Sequence, residues 1–361
     1  MKPIKPFKIA CIFLLIMPFI AFSAEKYKHD KTKTIKRSFN VNPNAELRID
    51  NSYGNLNITT WNENRIAIEV TITTSGNNED KVTEKLDAIT VAFENTSNLV
   101  SAKTIFNKKT SSSWWNWGKK TNVNMQINYL VKMPVTNSVN LKNDYGNIDL
   151  DKLQGRAVIN CDYGKITTKE LMANNNSLNF DYTKGCYFDY INDGSINADY
   201  SDFTISKAEN ITINADYTNA TVDVAEKVVY NNDYGTVKIG QVNNVEGDGD
   251  YLTLVIGDLY KHADIDADYG SINIKNIAQG ANNITIDTDY TGIKIGYDTN
   301  WNFNFDFDLS YADLRSDDAL QFSLKDKDGS DKTYKGHYGN SNSSNNITID
   351  ADYGNLTIKR N

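Results

Sequence analysis

The sequence predicts an all-β protein: a parallel β-solenoid (β-helix) with coils of 17–21 residues, preceded by a looser β-rich N-terminal cap with one short helix. Three observations predict it. A unit of the form Ile-x-small-Asp-Tyr-Gly/Thr-x-Ile-x-Ile recurs from Val139 onward, its apolar positions alternate as strand residues do, and no proline follows Pro134.

The repeat is read from its tyrosines. Tyr145, Tyr163, Tyr182, Tyr200, Tyr217, Tyr234, Tyr251, Tyr269, Tyr290 and Tyr311 follow one another at intervals of 18, 19, 18, 17, 17, 17, 18, 21 and 21 residues, and Tyr353 closes the series. Four residues before the tyrosine stand Leu141, Ile159, Leu178, Ile196, Ile213, Ile265, Ile286 and Ile349, with small residues such as Ala198, Ala215 and Ala267 two before it. After the turn Ile148, Ile166, Phe203, Val237, Ile272 and Ile293 begin a second apolar pair. Each unit therefore supplies two short strands around a bend, and neither can bury its apolar face alone. Stacking the units at about 4.8 Å aligns like positions into one core, giving a rod on the order of 50 Å long. A β-propeller needs some forty residues per blade, so 17–21 residues fit one coil better.

Residues 24–137 form the cap, with strands expected at 46–58, 65–73, 89–93, 99–106 and 123–132 and a helix at 79–88, where Val82 and Leu86 have helical spacing. The segment LRIDNSYGNLNI at 47–58 already carries the repeat motif, so the boundary with the repeat domain, 138–361, is soft. Residues 300–346 interrupt the rhythm with an aromatic run and then a polar Ser/Asn/Gly-rich stretch, read as a mobile loop hung from a coil, with a binding loop as the alternative.

Residues 1–23 have the form of a secretory signal peptide: Lys2, Lys5 and Lys8, an apolar run from 9 to 22, and Ala21 and Ser23 before the expected cleavage. About fourteen apolar residues broken by Pro18 fall short of the ~20 that span a bilayer. Cys11 lies at the front of that run, so lipidation is not expected. The mature chain should carry no transmembrane span and lie in the periplasm, on the cell surface or outside the cell. It has 35 Lys and Arg against 46 Asp and Glu, a balance of −11 that disfavours nucleic acid and anionic lipid as partners. Cys161 and Cys186 are too few for a disulfide framework and are not expected to pair.

Taken together, the signal peptide, NSYGNLNI at 51–58, INYLVKMP at 127–134 and the succession of DYG units resemble the putative adhesin family of domain of unknown function 4097, a β-strand repeat family of Bacteroidota type. The resemblance covers nearly all of the mature chain. It implies a β-solenoid outside the cytoplasmic membrane and offers no catalytic residues.

Four features bear on chemistry. An acidic column precedes the tyrosines, and Asp248, Asp266, Asp287 and Asp350 add carboxylates two residues before Asp250, Asp268, Asp289 and Asp352. Stacked about 5 Å apart, like charges repel by roughly 1 kcal/mol even in water. Either these DxD pairs hold Ca²⁺ through oxygen ligands, or each Asp accepts hydrogen bonds from its own turn while Asn160, Asn179, Asn197, Asn214 and Asn231 form an amide ladder. The tyrosine column reads as an aromatic strip for sugars, or as structural rings turned inward or set at a corner, where the following glycines let the chain bend. Trp114, Trp115 and Trp117, in the lysine-flanked hairpin tip SSSWWNWGKK, are candidates for contact with carbohydrate, a partner or a membrane interface; alternatively they fold back on the solenoid's open end. His29, His262 and His337 are scattered, with no nucleophile or metal-spaced cluster beside them.

The reading is a non-catalytic extracytoplasmic adhesin-like or scaffold protein that presents a repetitive surface, to an envelope polysaccharide or a surface protein. No cofactor is implied unless Ca²⁺ binds. A polysaccharide-active β-helix enzyme and a Ca²⁺-stabilised envelope structural protein are the alternatives.

Overall fold

The computed structural model describes residues 27–107 and 123–361. The signal peptide expected at 1–23 and Trp114, Trp115 and Trp117 lie outside the described residues. Among the described residues there are twenty-six strands and one helix, and no helix is long and apolar enough to cross a membrane. The strands form one long, mostly parallel sheet that does not close on itself.

The N-terminal region contains β1 (His29–Asn40), β2 (Glu46–Ser52), β3 (Leu56–Trp61), β4 (Arg65–Gly76), α1 (Glu79–Ala88), β5 (Ile89–Asn95), β6 (Leu99–Phe106) and β7 (Val123–Pro134). In β4 strict alternation puts Ile66, Ile68, Val70 and Ile72 on the buried face. The helix begins where Asn78 accepts a hydrogen bond from the Lys81 amide, with Glu79 and Asp80 in its first turn and Lys85 in its last, and it buries Val82 and Leu86. Strand β1 was not expected from the sequence. It pairs antiparallel with β4, which pairs antiparallel with β7, while β5 pairs antiparallel with β6. Lys31, Lys33, Lys36 and Arg37 populate β1, a composition that discourages further strand pairing at an edge.

The repeats begin with β8 (Ser138–Asp144), β9 (Ile148–Leu150), β10 (Ala157–Asp162), β11 (Ile166–Leu171) and β12 (Asn176–Asn179). They continue through β13 (Cys186–Asn197), β14 (Asp202–Asp216), β15 (Asn219–Asp233), β16 (Thr236–Asp248), β17 (Thr253–Asp266), β18 (Ser271–Ile277), β19 (Asn283–Asp289) and β20 (Gly292–Tyr297). The last elements are β21 (Phe303–Ser310), β22 (Leu314–Ser316), β23 (Gln321–Asp328), β24 (Asp331–Tyr338), β25 (Asn346–Asp352) and β26 (Leu356–Arg360). Pairing is parallel from β8 to β20, with like positions of successive repeats in register: Leu141 with Ile159, Leu178 with Ile196, Ile196 with Ile213 and Ile213 with Tyr230. β2 and β3 pair in parallel with β8 and β9, so the sheet runs without a break through residues 137–138.

The core is a set of apolar columns. Leu141, Ile159, Leu178, Ile196 and Ile213 are all at most 1% exposed, and each such side chain contributes about 1.5–3 kcal/mol by burial. Tyr230 continues the column, and the next repeat makes room with Gly247, where a Cβ would lie 1.9 Å from the Tyr230 ring. Cys161 and Cys186 are both buried and unpaired, and Gly185, at φ +68°, supplies the irregularity that turns Cys186 inward.

Two expectations about the C-terminal part are corrected. Residues 300–346 are not a loop: Trp301, Phe303, Phe305 and Phe307 are buried, β21 carries them, and β23 and β24 form an antiparallel hairpin that closes on β21. The spatial order is also not the chain order. β25 lies between β19 and β21, and β26 lies between β20 and β22.

Candidate functional site: a tyrosine ladder on a carboxylate-lined corner

The corner of each repeat is made by the tyrosine itself. Tyr53, Tyr145, Tyr163, Tyr182, Tyr200, Tyr217, Tyr234, Tyr251, Tyr269, Tyr290, Tyr311 and Tyr353 all have φ between 51° and 63°, the left-handed region that costs an L-residue roughly 1–2 kcal/mol. The glycines that follow do not supply the bend. They are needed because the chain comes too close: a Cβ on Gly146 would lie 1.9 Å from the Gly54 carbonyl oxygen, and one on Gly354 1.9 Å from that of Thr291. The tyrosine amide donates to the preceding Asp carbonyl of the neighbouring repeat, at 2.9 Å from Tyr145 to Asp162 and 3.0 Å from Tyr182 to Asp199.

The left-handed step also breaks the inside-outside alternation and sends every ring outward. The inward alternative is thereby corrected: the rings stand at the corner and face solvent. The twelve rings stand about half exposed, from 41% at Tyr53 to 64% at Tyr311. They stack face to face in the order Tyr53, Tyr145 and onward to Tyr290, then Tyr353, then Tyr311, with centroids 4.6–5.2 Å apart and planes within 11° of parallel. Phe106 closes the first face edge-on against Tyr53. Partial desolvation, then neighbouring phenols, push the hydroxyls of Tyr163, Tyr200, Tyr234, Tyr269 and Tyr353 above the ordinary tyrosine value, so they are neutral donors at physiological pH.

Beneath the rings the corner must satisfy buried backbone groups, and two devices recur. Asn143 donates its amide to the Gly54 carbonyl at 2.9 Å, whereas Thr218 and Thr291 donate their hydroxyls to the carbonyls of Ala198 and Ala267 at 2.8 and 2.9 Å. Asparagine two residues before the tyrosine is accompanied by glycine after it, as in Asn51/Gly54, Asn143/Gly146 and Asn232/Gly235. At the N-terminal end the polar chain runs on: Tyr129 donates to Thr104, Thr104 to Asn51, and Asn51 to Asn143, each within 2.8–2.9 Å.

The aspartates before the tyrosines are held by backbone, though by the next repeat's and not, as one of the two alternatives had it, by their own turn. Oδ1 of Asp162, Asp181, Asp199, Asp233 and Asp268 accepts from the amide of the corresponding Asp in the next repeat, at 2.8–3.2 Å. The amide ladder is present where Asn179 donates to Asn160, Asn197 to Asn179 and Asn214 to Asn197, at 3.2, 2.7 and 3.1 Å. Between the amide and carboxylate columns runs an open cleft of about 590 Å³ that spans Lys142 to Asp199.

From Asp248 onward the amide position is taken by aspartate. There the carboxyls of Asp250, Asp266, Asp289 and Asp350 are held above the ordinary range, by partial burial first and by neighbouring carboxylates second. Among the described residues no three Asp, Glu, His or Cys side chains converge on one point; the acids stand in rows instead. Asp248, Asp266, Asp287 and Asp350 stand in one column and Asp250, Asp268, Asp289 and Asp352 in another, carried on β16, β17, β19 and β25 and the turns that follow them.

No catalytic grouping appears among the described histidines. His262 Nδ1 lies 2.7 Å from the Asn283 carbonyl, and His29 lies 3.8 Å from Glu79. Burial pushes the Cys161 thiol up to about 12, which makes it a poor nucleophile. Trp61 was not singled out in the sequence; its ring is flanked by Arg65 at 4.6 Å and Lys132 at 5.9 Å.

The fold and corner define an all-β repeat protein with an exposed aromatic ladder. No protein-family model matches the chain, and no curated protein matches it in sequence. Solved structures similar to it include a putative adhesin from Parabacteroides merdae (10% identity, 72% of this chain and 91% of that one, TM-score 0.31). Another is a putative adhesin from Bacteroides fragilis (13% identity, 91% and 97%, TM-score 0.25). A third is a putative lipid binding protein from Parabacteroides distasonis (10% identity, 90% and 96%, TM-score 0.29). These likenesses are distant, and the functional reading rests on the residues.

Proposed function

We propose that this chain is a non-catalytic, exported binding protein of adhesin type, a parallel β-solenoid with 17–21-residue coils whose tyrosine corner is its recognition surface. One observation carries the reading. A left-handed corner favours glycine or asparagine, yet tyrosine occupies it in all twelve repeats that form the ladder. Each ring-ring contact contributes about 0.5–1.5 kcal/mol, which does little more than offset the backbone strain. Stability alone thus gives weak reason for so many half-exposed aromatics, whereas a surface that must offer the same group at every step accounts for them. The periplasm and the cell surface suit such a ladder equally. The mature chain, residues 24–361, is to be screened against envelope polysaccharides and surface proteins. Saturable binding without turnover is the expected result, and hydrolysis or elimination of any of them would sink the reading.

A second reading concerns the acidic stretch. Calcium held by Asp248, Asp250, Asp266, Asp268, Asp287, Asp289, Asp350 and Asp352 is favoured by the stacking of these acids in two neighbouring columns, whose mutual repulsion a cation would relieve.

A further inference from the structure

The ladder does not work as a platform for flat ligands. Every ring between Tyr53 and Tyr311 has both faces covered by neighbours 4.6–5.2 Å away, so only edges and hydroxyls meet solvent. A ligand must lie alongside the ladder rather than on it. The cleft beside it, lined by Asn160, Asp162, Asn179, Asp181, Asn197 and Asp199, runs in the stacking direction and repeats its chemistry at each step.

That chemistry is specific. Asp162, Asp181 and Asp199 each commit Oδ1 to a backbone amide, leaving Oδ2 as an acceptor. Asn197 and Asn214 each donate one amide N–H down the ladder and keep the other, while the second N–H of Asn179 makes only a long 3.4 Å contact with Ser177. Each repeat along the cleft therefore offers an acceptor and a donor at the strand spacing of about 4.8 Å. A polymer that fits must supply hydroxyls able both to give and to accept, once per strand spacing. It must also carry no negative charge, because one carboxylate per repeat repels an anionic chain.

Resting on the binding-protein reading, we infer that the cleft takes an extended, neutral β-1,4-linked hexopyranose chain, one sugar per repeat, which advances by roughly one strand spacing per unit. The amide column sets the length. The cleft takes in Asn160, Asn179 and Asn197, and the asparagine column runs on past it through Asn214 and Asn231 until Asp248 removes the donor, so the track holds about five sugars, three of them in the cleft.

Calorimetric titration of residues 24–361 with β-1,4-linked glucose and N-acetylglucosamine oligomers of two to eight units tests this. Affinity should rise with length and level off near five or six units, with α-1,4-linked glucose oligomers and polygalacturonate at least tenfold weaker. The double variant Asn179→Asp/Asn197→Asp should lose at least tenfold in affinity. Its fold is protected because aspartate is the residue that the later repeats carry at this position. Asp248→Asn/Asp266→Asn extends the amide column and should move the plateau out by about two sugars. Affinity that is independent of length, polyuronate binding as tight as neutral glycan, or no effect of either double variant would overturn the inference. Binding of a different envelope polymer that is lost on changing Tyr200 or Tyr217 would overturn it while leaving the binding-protein reading intact. If no polymer or surface protein binds, both fall.

Discussion

The repeats from Asn160 to Asp233 and those from Asp248 to Asp352 share a backbone, a tyrosine corner and an isoleucine core, and differ mainly at one outward position, asparagine in the first stretch and aspartate in the second. In the first, amides chain together and the Asp column is braced by backbone. In the second, two carboxylate columns run side by side on one face, and Asp250, Asp266, Asp289 and Asp350 are pushed toward protonation. The inner columns decide whether the repeats stack, and the outer ones decide what the stack presents. Charge can therefore vary along the surface while the core stays the same.

The largest effects should be blind to that difference. Ile196→Ala and Ile286→Ala each remove a side chain at most 1% exposed, one in each stretch, and each should cost about 2–5 kcal/mol in denaturant melts. A loss confined to one stretch would show that the two cores are not equivalent. Gly247→Ala, at the junction, forces a methyl against the Tyr230 ring and should cost about 1–3 kcal/mol, and Gly247→Ala/Tyr230→Val should recover part of it. Tyr217→Asn gives up two stacking contacts at 4.8 Å but relieves left-handed strain, so stability should change by less than about 1 kcal/mol. A large destabilisation would make the ladder a structural staple.

The smallest effect should separate the stretches. Raised carboxyl pKa values mean that stability is fullest below the unfolded value and falls as pH rises through the folded one. Asp266→Asn and Asp350→Asn should therefore raise Tm by a few degrees or less at pH 7, with the gain vanishing toward pH 4. Millimolar Ca²⁺ should raise the wild-type Tm and lose that effect in the Asp266→Asn/Asp350→Asn double variant if the acidic stretch binds it; an unchanged Tm removes the calcium reading.

The repeat, the buried columns and α1 were legible because period 2 and helical spacing are local properties, as in Ile159 to Cys161 or Val82 to Leu86. The direction of the tyrosines was not. Continuing the alternation past Asp144 points Tyr145 inward, and only the left-handed step reverses it; tyrosine carries no propensity for that step. The brace between Asp162 and the Asp181 amide was hidden as well, because it joins residues a full repeat apart. β1 was missed because lysines and threonines occupy its alternating positions, and β21 because its phenylalanines were set in a polar neighbourhood.

The insertion of β25 and β26 bears on how the molecule is built. A chain that emerges from its N-terminus can add repeats in order as far as β20. The next segment to emerge then finds its seat reserved for residues that come later, so closure of this end is a late and non-sequential event. The final strands act as a keystone whose arrival locks the piece placed outside it. Removing residues 346–361 should release residues 303–338 with them, seen as lost hydrogen-exchange protection across both segments; protection retained at 303–338 would mean that β21 can dock on β19 directly.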